Sequence, residues 1–256
     1  MTQKKTHTIA VCNHKGGVGK TTTAISIGAA LARSRKRVLL VDFDAQADLT
    51  GSLGIQDTTH NVYELLKGNT EPQPLHHAEG FDVIPSVLDL ATAEIELNSE
   101  MGREHLLKEA LQPLQGQYDY IIIDAPPSLG LLTINAFTAA QCAIIPVQAE
   151  YLAVRGLAKL YDVLGSVQKR LNPQLYIVGV VPTMYDGRKT LHRQVLEVLQ
   201  KQFGAVLFDT PVRTNVPLAE APACGETIYK YAPRSTGAAD YTAIAKELQK
   251  RLKAHK

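Results

Sequence analysis

The stretch VCNHKGGVGKTTT, residues 11–23, constrains this chain more than any other. The pattern G-x-x-x-x-G-K-[ST] is a phosphate loop when a strand precedes it and a helix follows. Gly19, Lys20 and Thr21 close that pattern, but His14 stands where its first glycine belongs. A second lysine, Lys15, follows at once. Residues 7–12 are an apolar run that predicts the strand, and residues 21–34 predict the helix. Gly16, Gly17 and Gly19, with Val18 between them, let the backbone bend tightly and turn its N–H groups toward phosphate oxygens. The helix start adds partial positive charge. Lys20 is placed for the β/γ-phosphates, the Thr21 hydroxyl for Mg²⁺, and the Thr22 hydroxyl or N–H for the α-phosphate.

Apolar, β-branched runs alternate with helical patterns along the rest of the chain. The runs are 7–12, 37–41, 81–84, 118–123, 142–147, 176–181 and a weak 205–208. Helical patterns cover 21–34, 88–101 with 103–114, 131–140, 154–171, 191–203 and 238–253. Several runs are apolar throughout, as in strands covered on both faces. The alternation predicts an α/β fold, a doubly wound and mostly parallel sheet of the P-loop type. A chain of 256 residues, 45% hydrophobic, is long enough for one sizeable core and shows no linker or repeat, so residues 1–256 read as a single domain. Ligands in such sheets bind beyond the carboxyl ends of the strands.

Acidic residues sit at two of those ends. The run YIIID ends in Asp124, the place of the second nucleotide motif of P-loop proteins, where a carboxylate binds Mg²⁺ through water. VLLVDFDAQ ends with Asp42 and Asp44. Asp42 suits hydrogen bonding to the loop N–H groups. Asp44, further out, could orient or deprotonate an attacking water, or be a solvated loop residue.

KGGVGKTTTA, VLLVDFDAQADLTGSLG, YDYIIIDAPPSLG, IIPVQAEYLAVRGL and LAEAP, with their spacing, resemble the ParA/Soj-type partition ATPases. That branch has a deviant Walker A loop and also includes MinD. The resemblance runs from residue 8 to about residue 250 and implies a Mg²⁺-dependent ATPase. It implies an ATP sandwich dimer that binds DNA without sequence preference, and release when a ParB-type partner stimulates hydrolysis. A cytoplasmic, nucleoid-associated protein is implied, segregating chromosome or plasmid DNA or positioning a protein assembly. The chain starts at the first strand, like the short form that lacks an N-terminal DNA-reading domain. By motif, Lys15 matches the lysine that reaches the other subunit's ATP, acting as an arginine finger does. Asp44 matches the aspartate needed for hydrolysis. Pro182, Thr183 and Met184 match the adenine-side segment. Glu150 and Tyr151 fall where the dimer face is expected.

The DNA surface departs from the pattern. The family reads RNVRLSEAP where this chain has TNVPLAEAP, so Pro217 replaces an arginine. Arg188 matches another basic contact, and Lys189, Arg193 and Arg213 lie nearby in sequence. Residues 151–256 hold 16 Lys and Arg against 8 Asp and Glu, a balance of +8, while residues 1–150 stand at −6. A basic half suits a polyanion, since non-specific DNA binding is mostly phosphate neutralisation.

Other classes fit less well. A membrane-positioning ATPase of the MinD kind needs a C-terminal amphipathic anchor. The stripe Tyr241, Ile244, Leu248, Leu252 is the candidate, but it lacks Trp and Phe and reads as a docked helix. No run of 18 apolar residues appears, so no transmembrane helix is expected, and with the stripe read as docked no membrane partner is expected either. An iron–sulfur carrier needs cluster cysteines, whereas Cys12, Cys142 and Cys224 are scattered and read as buried free thiols. His76 and His77 read as part of a polar loop without metal-site spacing.

Overall fold

A computed structural model describes residues 5–255, apart from the side chains of 98 and 151–156. Among the described residues, seven strands form one sheet: β1 (His7–Val11), β2 (Val38–Asp42), β3 (Leu75–His77), β4 (Phe81–Ile84), β5 (Tyr120–Asp124), β6 (Cys142–Gln148) and β7 (Tyr176–Thr183). Their order is β3-β4-β2-β5-β1-β6-β7, and all neighbours are parallel except β3 and β4. The α-helices are α1 (Lys20–Arg33), α2 (Asp48–Ser52), α3 (Val62–Leu66), α4 (Leu90–Glu96), α5 (Leu106–Ala110), α6 (Leu131–Ala139), α7 (Tyr151–Arg170), α8 (Thr190–Phe203), α9 (Val216–Glu220), α10 (Ile228–Tyr231) and α11 (Thr236–Ala254).

Strand side chains alternate between two cores, because a strand's period is two. Ile9, Leu40 and Ile122 join α1 and α11 in the core on one face. Ala10, Leu39, Ile121 and Ile123 join α3, α5, α6 and α7 on the other. Double coverage explains why these strands read as unbroken apolar runs. The stripe Tyr241, Ile244, Leu248 and Leu252 is buried in the α1 core, so α11 docks on its own sheet. Among the described residues, no helix is long and apolar enough to cross a membrane.

Four expectations need correction. His76 and His77 belong to the antiparallel edge strand β3. The run 205–208 forms only an isolated bridge, Val180 with Leu207. Beside that bridge, where the Val206 carbonyl accepts from Val180 N–H (2.8 Å), Arg251 donates to the carbonyls of Val206 (2.9 Å) and Leu207. The helical pattern 88–101 and 103–114 breaks into α4, α5 and 3₁₀ turns, Pro113 standing in the second turn. Cys12 and Cys142 are buried thiols whose ionisation burial pushes up, but Cys224 is exposed.

Candidate nucleotide site

The site is built at the carboxyl edge of the sheet. Between β1 and α1 the loop turns through Gly17 (φ 71°) and Gly19 (φ 86°), conformations that cost a residue with a Cβ. Gly19 is the N-cap of α1, and no side chain caps the helix or places an acid in its first turn. The first N–H groups of a 14-residue helix therefore stay free for an anion. Lys20 is buried at that start, and its Nζ lies 3.4 Å from the Lys15 carbonyl. Thr21 and Thr22 are half-buried beside it.

The loop is tied to its neighbours by polar contacts the sequence reading missed. Asn13 Nδ2 donates to the Pro146 carbonyl on β6 (2.7 Å), and Asn13 Oδ1 accepts from Lys15 N–H (3.0 Å). The Thr183 hydroxyl donates to the Val18 carbonyl (2.8 Å), joining β7 to the loop. Lys15 Nζ pairs with Glu150 Oε2 at 3.1 Å. His14 Nδ1 is buried without a partner, and burial, then Lys159 and Lys20, hold its ionisation down. The Tyr151 side chain lies outside the described residues.

The two strand-tip acids differ in what meets them. Asp42 and Asp124 are register partners on adjacent strands, both buried. Asp42 Oδ2 accepts from Thr50 N–H (2.8 Å) and Thr50 Oγ1 (2.6 Å), and Oδ1 from Asp44 N–H (3.3 Å). Its partners thus lie in the 44–50 segment, in place of the expected phosphate-loop N–H groups. Burial, opposed by Thr50, pushes the Asp42 carboxyl up to about 6. Neither Asp124 oxygen makes a hydrogen bond of good geometry, the Thr21 hydroxyl offering only a loose one. Burial, then the Asp42 charge, pushes Asp124 well above the usual carboxylate range, while Thr21 and Lys20 pull it down. An orphaned carboxylate beside a Thr hydroxyl suits a hydrated divalent cation, which supplies the missing partner. Among the described residues, no three His, Cys, Asp or Glu side chains cluster as a metal site of their own. Asp44 stands half-buried further out, its Oδ1 accepting from Gln46 N–H (3.1 Å).

Beside the loop lies a largely apolar cavity of about 360 Å³, lined by Gly19, Thr22, Thr183, Met184, Val212 and Leu218 among others. Pro182 and Thr183 close the buried part of β7 just before Met184. Met184 holds a left-handed backbone (φ 53°), a strain that tends to be kept at ligand sites.

The basic residues fall into two groups. Arg188 is 91% exposed and forks onto Asp186, with Nη2 to Oδ2 at 2.9 Å. Lys189 is the exposed N-cap of α8, and Arg193 donates to the Gly187 carbonyl (2.8 Å). Arg213 turns inward, its Nη2 2.6 Å from Oδ1 of the buried Asp240, while half its side-chain surface stays in solvent. Pro217 stands in the first turn of the short helix α9.

Comparison with known proteins places this arrangement. Residues 6–177 match the AAA_31 family, described as an AAA domain. The chain is similar to the sporulation initiation inhibitor protein Soj of Bacillus subtilis, 49% identical over 94% of this chain and 97% of that one. It is similar to the chromosome-partitioning ATPase Soj of Thermus thermophilus, 46% identical over 98% and 99%. A crystal structure of cobyrinic acid a,c-diamide synthase from Mycobacterium smegmatis, with bound ATP analogue and magnesium, superposes with a TM-score of 0.86. That structure is 40% identical and covers 98% of this chain and 97% of its own. A match across the phosphate loop, both strand-tip aspartates and nearly the full length leaves one assignment: the chain belongs to the AAA_31 family of AAA domains, in its Soj/ParA chromosome-partitioning branch.

Proposed function

We propose that this partition ATPase is an ATP-driven switch. In this reading ATP and Mg²⁺ bind at the loop, a sandwich dimer closes over them, and the dimer holds DNA non-specifically until hydrolysis releases it. The observation that carries the nucleotide reading is Asp124, a buried carboxylate beside Thr21 and the loop whose oxygens make no well-formed hydrogen bond.

The residues have distinct tasks. Gly16, Gly17, Val18, Gly19 and the start of α1 cradle the phosphates through N–H groups. Lys20 neutralises the β/γ-phosphates. Thr21 and, through water, Asp124 would hold Mg²⁺, which neutralises charge between phosphates when bound. Thr22 meets the α-phosphate side. Pro182, Thr183 and Met184 border the apolar cavity, whose size and lining suit a purine base. Asp42 holds Thr50 and Asp44 in place, and Asp44 orients the attacking water or accepts its proton. Lys15, at the loop mouth, serves the second copy's nucleotide, as the mobile cation of a trans-acting finger.

The exposed cations Arg188, Lys189 and Arg193, with the free side of Arg213, supply the DNA face. A ParB-type partner sets the timing of release, and the nucleoid is where the ATP form resides. The 46% identity over nearly the full length to a chromosome-partitioning ATPase favours DNA over a membrane as the surface used. The burial of the α11 stripe keeps that stripe from serving as the anchor of a MinD-like alternative.

The test is the Lys15→Ala variant with ATP and Mg²⁺. Nucleotide binding should stay near wild type, while ATP-dependent dimerisation in light scattering is lost. Wild-type dimers in that variant would remove Lys15 from the switch.

A further inference from the structure

The same lysine shows a second arrangement. The backbone at the loop mouth is pinned to β6 through Asn13, so movement there is left to the Lys15 side chain. Its Nζ is 3.1 Å from Glu150 Oε2, with 39% and 47% of the two side chains exposed. Glu150 is itself placed: Gln148 Nε2 donates to its Oε1 (2.9 Å), and its own N–H donates to the Gln148 carbonyl (2.7 Å). Glu150 is the N-cap of α7, yet its carboxylate makes no cap hydrogen bond to the helix. A carboxylate at a helix start ordinarily turns to the free N–H groups there. This one turns to Lys15 and Gln148 instead.

We propose that Glu150 is a positioning residue for Lys15: it holds the ammonium within its own subunit and yields it to the second copy's triphosphate as the dimer closes. This rests on the dimer reading above. A carboxylate carries one negative charge and a triphosphate several, so the phosphates win the exchange once they are within reach. The pair's exposure keeps the latch weak, as surface ion pairs are, so it sets a threshold without blocking closure. Lys20 donates to the carbonyl of the same Lys15, so the two lysines meet at one peptide unit. A phosphate drawing Lys20 inward removes a contact from the residue that must reach outward. Lys15 and Glu150 should then act in opposite senses on assembly, which a merely structural ion pair would not do.

The experiment measures the protein concentration at half-dimerisation with a slowly hydrolysed ATP analogue and Mg²⁺. Two latches open per dimer, so Glu150→Gln should lower that concentration by on the order of tenfold at low salt. The gain should shrink as salt rises. Glu150→Asp should restore part of the wild-type threshold, and the double variant Lys15→Ala, Glu150→Gln should show no gain over Lys15→Ala. An unchanged concentration in Glu150→Gln, with normal nucleotide binding, overturns the latch. A raised concentration overturns it too, since it makes Glu150 a contact of the closed dimer. If the wild type stays monomeric with the analogue, the dimer reading falls, and the latch is decided in nucleotide-free protein. There, reductive methylation of Lys15, followed by mass spectrometry, should run a few-fold faster in Glu150→Gln. An equal rate overturns it.

Discussion

Asp124 and Asp186 are the same residue type in opposite regimes. Asp124 ends a central strand, buried, with no well-formed hydrogen bond to its oxygens. Burial and the neighbouring Asp42 make its charge costly, so its carboxyl is pushed up. Asp186 lies in the loop after β7, where Arg188 forks onto it and its N–H donates as well, so its carboxyl is pushed down. The first region stores an unmet demand for positive charge at a fixed point. The second has already satisfied itself in solvent. A site that binds one ligand in one pose needs the former. A surface that meets a polyanion in many registers can be built from the latter, because screened, exposed charges are cheap to rearrange.

The comparison is tested most severely at the strand tips. If chemistry there depends on placed groups, removing one that touches the attacking water should be ruinous while assembly survives. Asp44→Ala should still dimerise with ATP and Mg²⁺, but phosphate release should fall by about 10² or more, the scale of a lost general base. Release at the wild-type rate would return Asp44 to the status of a solvated loop residue.

The demand stored at Asp124 has its own signature. Its folded-state carboxyl, like that of Asp42 at about 6, lies above the unfolded value. The folded state therefore holds protons more tightly, and this contribution is full below the unfolded value near pH 4 and fades as pH rises through the folded one. Nucleotide-free wild type should lose stability from these acids as pH climbs from about 4 past 6. Asp124→Asn removes the orphaned charge. Its melting temperature near pH 7.5 should rise by about 2–4 °C for each kcal/mol relieved, with a shallower pH dependence. Stabilisation by ATP should no longer grow with Mg²⁺. An unchanged or lower melting temperature in the nucleotide-free variant would mean that the charge at Asp124 is already met.

What could be read from residues alone follows the same division. The phosphate loop was legible because few backbones can wrap a phosphate, and glycines at φ 71° and 86° leave little choice of residue. The central strands were legible because burial on both faces leaves only apolar residues. Strand β3 was not, since a three-residue edge strand keeps polar side chains: His76 pairs with Asp82 at 2.7 Å and His77 stacks on Phe81 at 4.6 Å. Asp42 was placed near the site, but its partner Thr50 lies eight residues on in a helix that no pattern announces. Arg251 lies outside the apolar stripe of α11, yet it reaches the carbonyls of Val178, Val206 and Leu207 around β7. Long-range side-chain-to-backbone bonds have no period, so no window along the chain reveals them.

The smallest effects belong to the basic face, and they separate its members. Arg188 and Arg193 are exposed and held only by neighbours within a few residues, so each can turn to a phosphate at little cost. In the partition reading, alanine at either should weaken ATP-dependent binding of generic DNA a few-fold and lower the salt slope by about 0.9 per lost phosphate contact. Arg213 is different, because its guanidinium satisfies the buried Asp240, whose loss of a partner would cost folding stability first. Pro217 offers the converse test. It stands in the first turn of α9, where an arginine needs no change of backbone to take its place. If the face works by summed neutralisation, Pro217→Arg should raise DNA affinity a few-fold and steepen the slope by about the same 0.9. Should affinity stay flat while Arg188→Ala still weakens it, the DNA path runs over the start of α8 and misses α9.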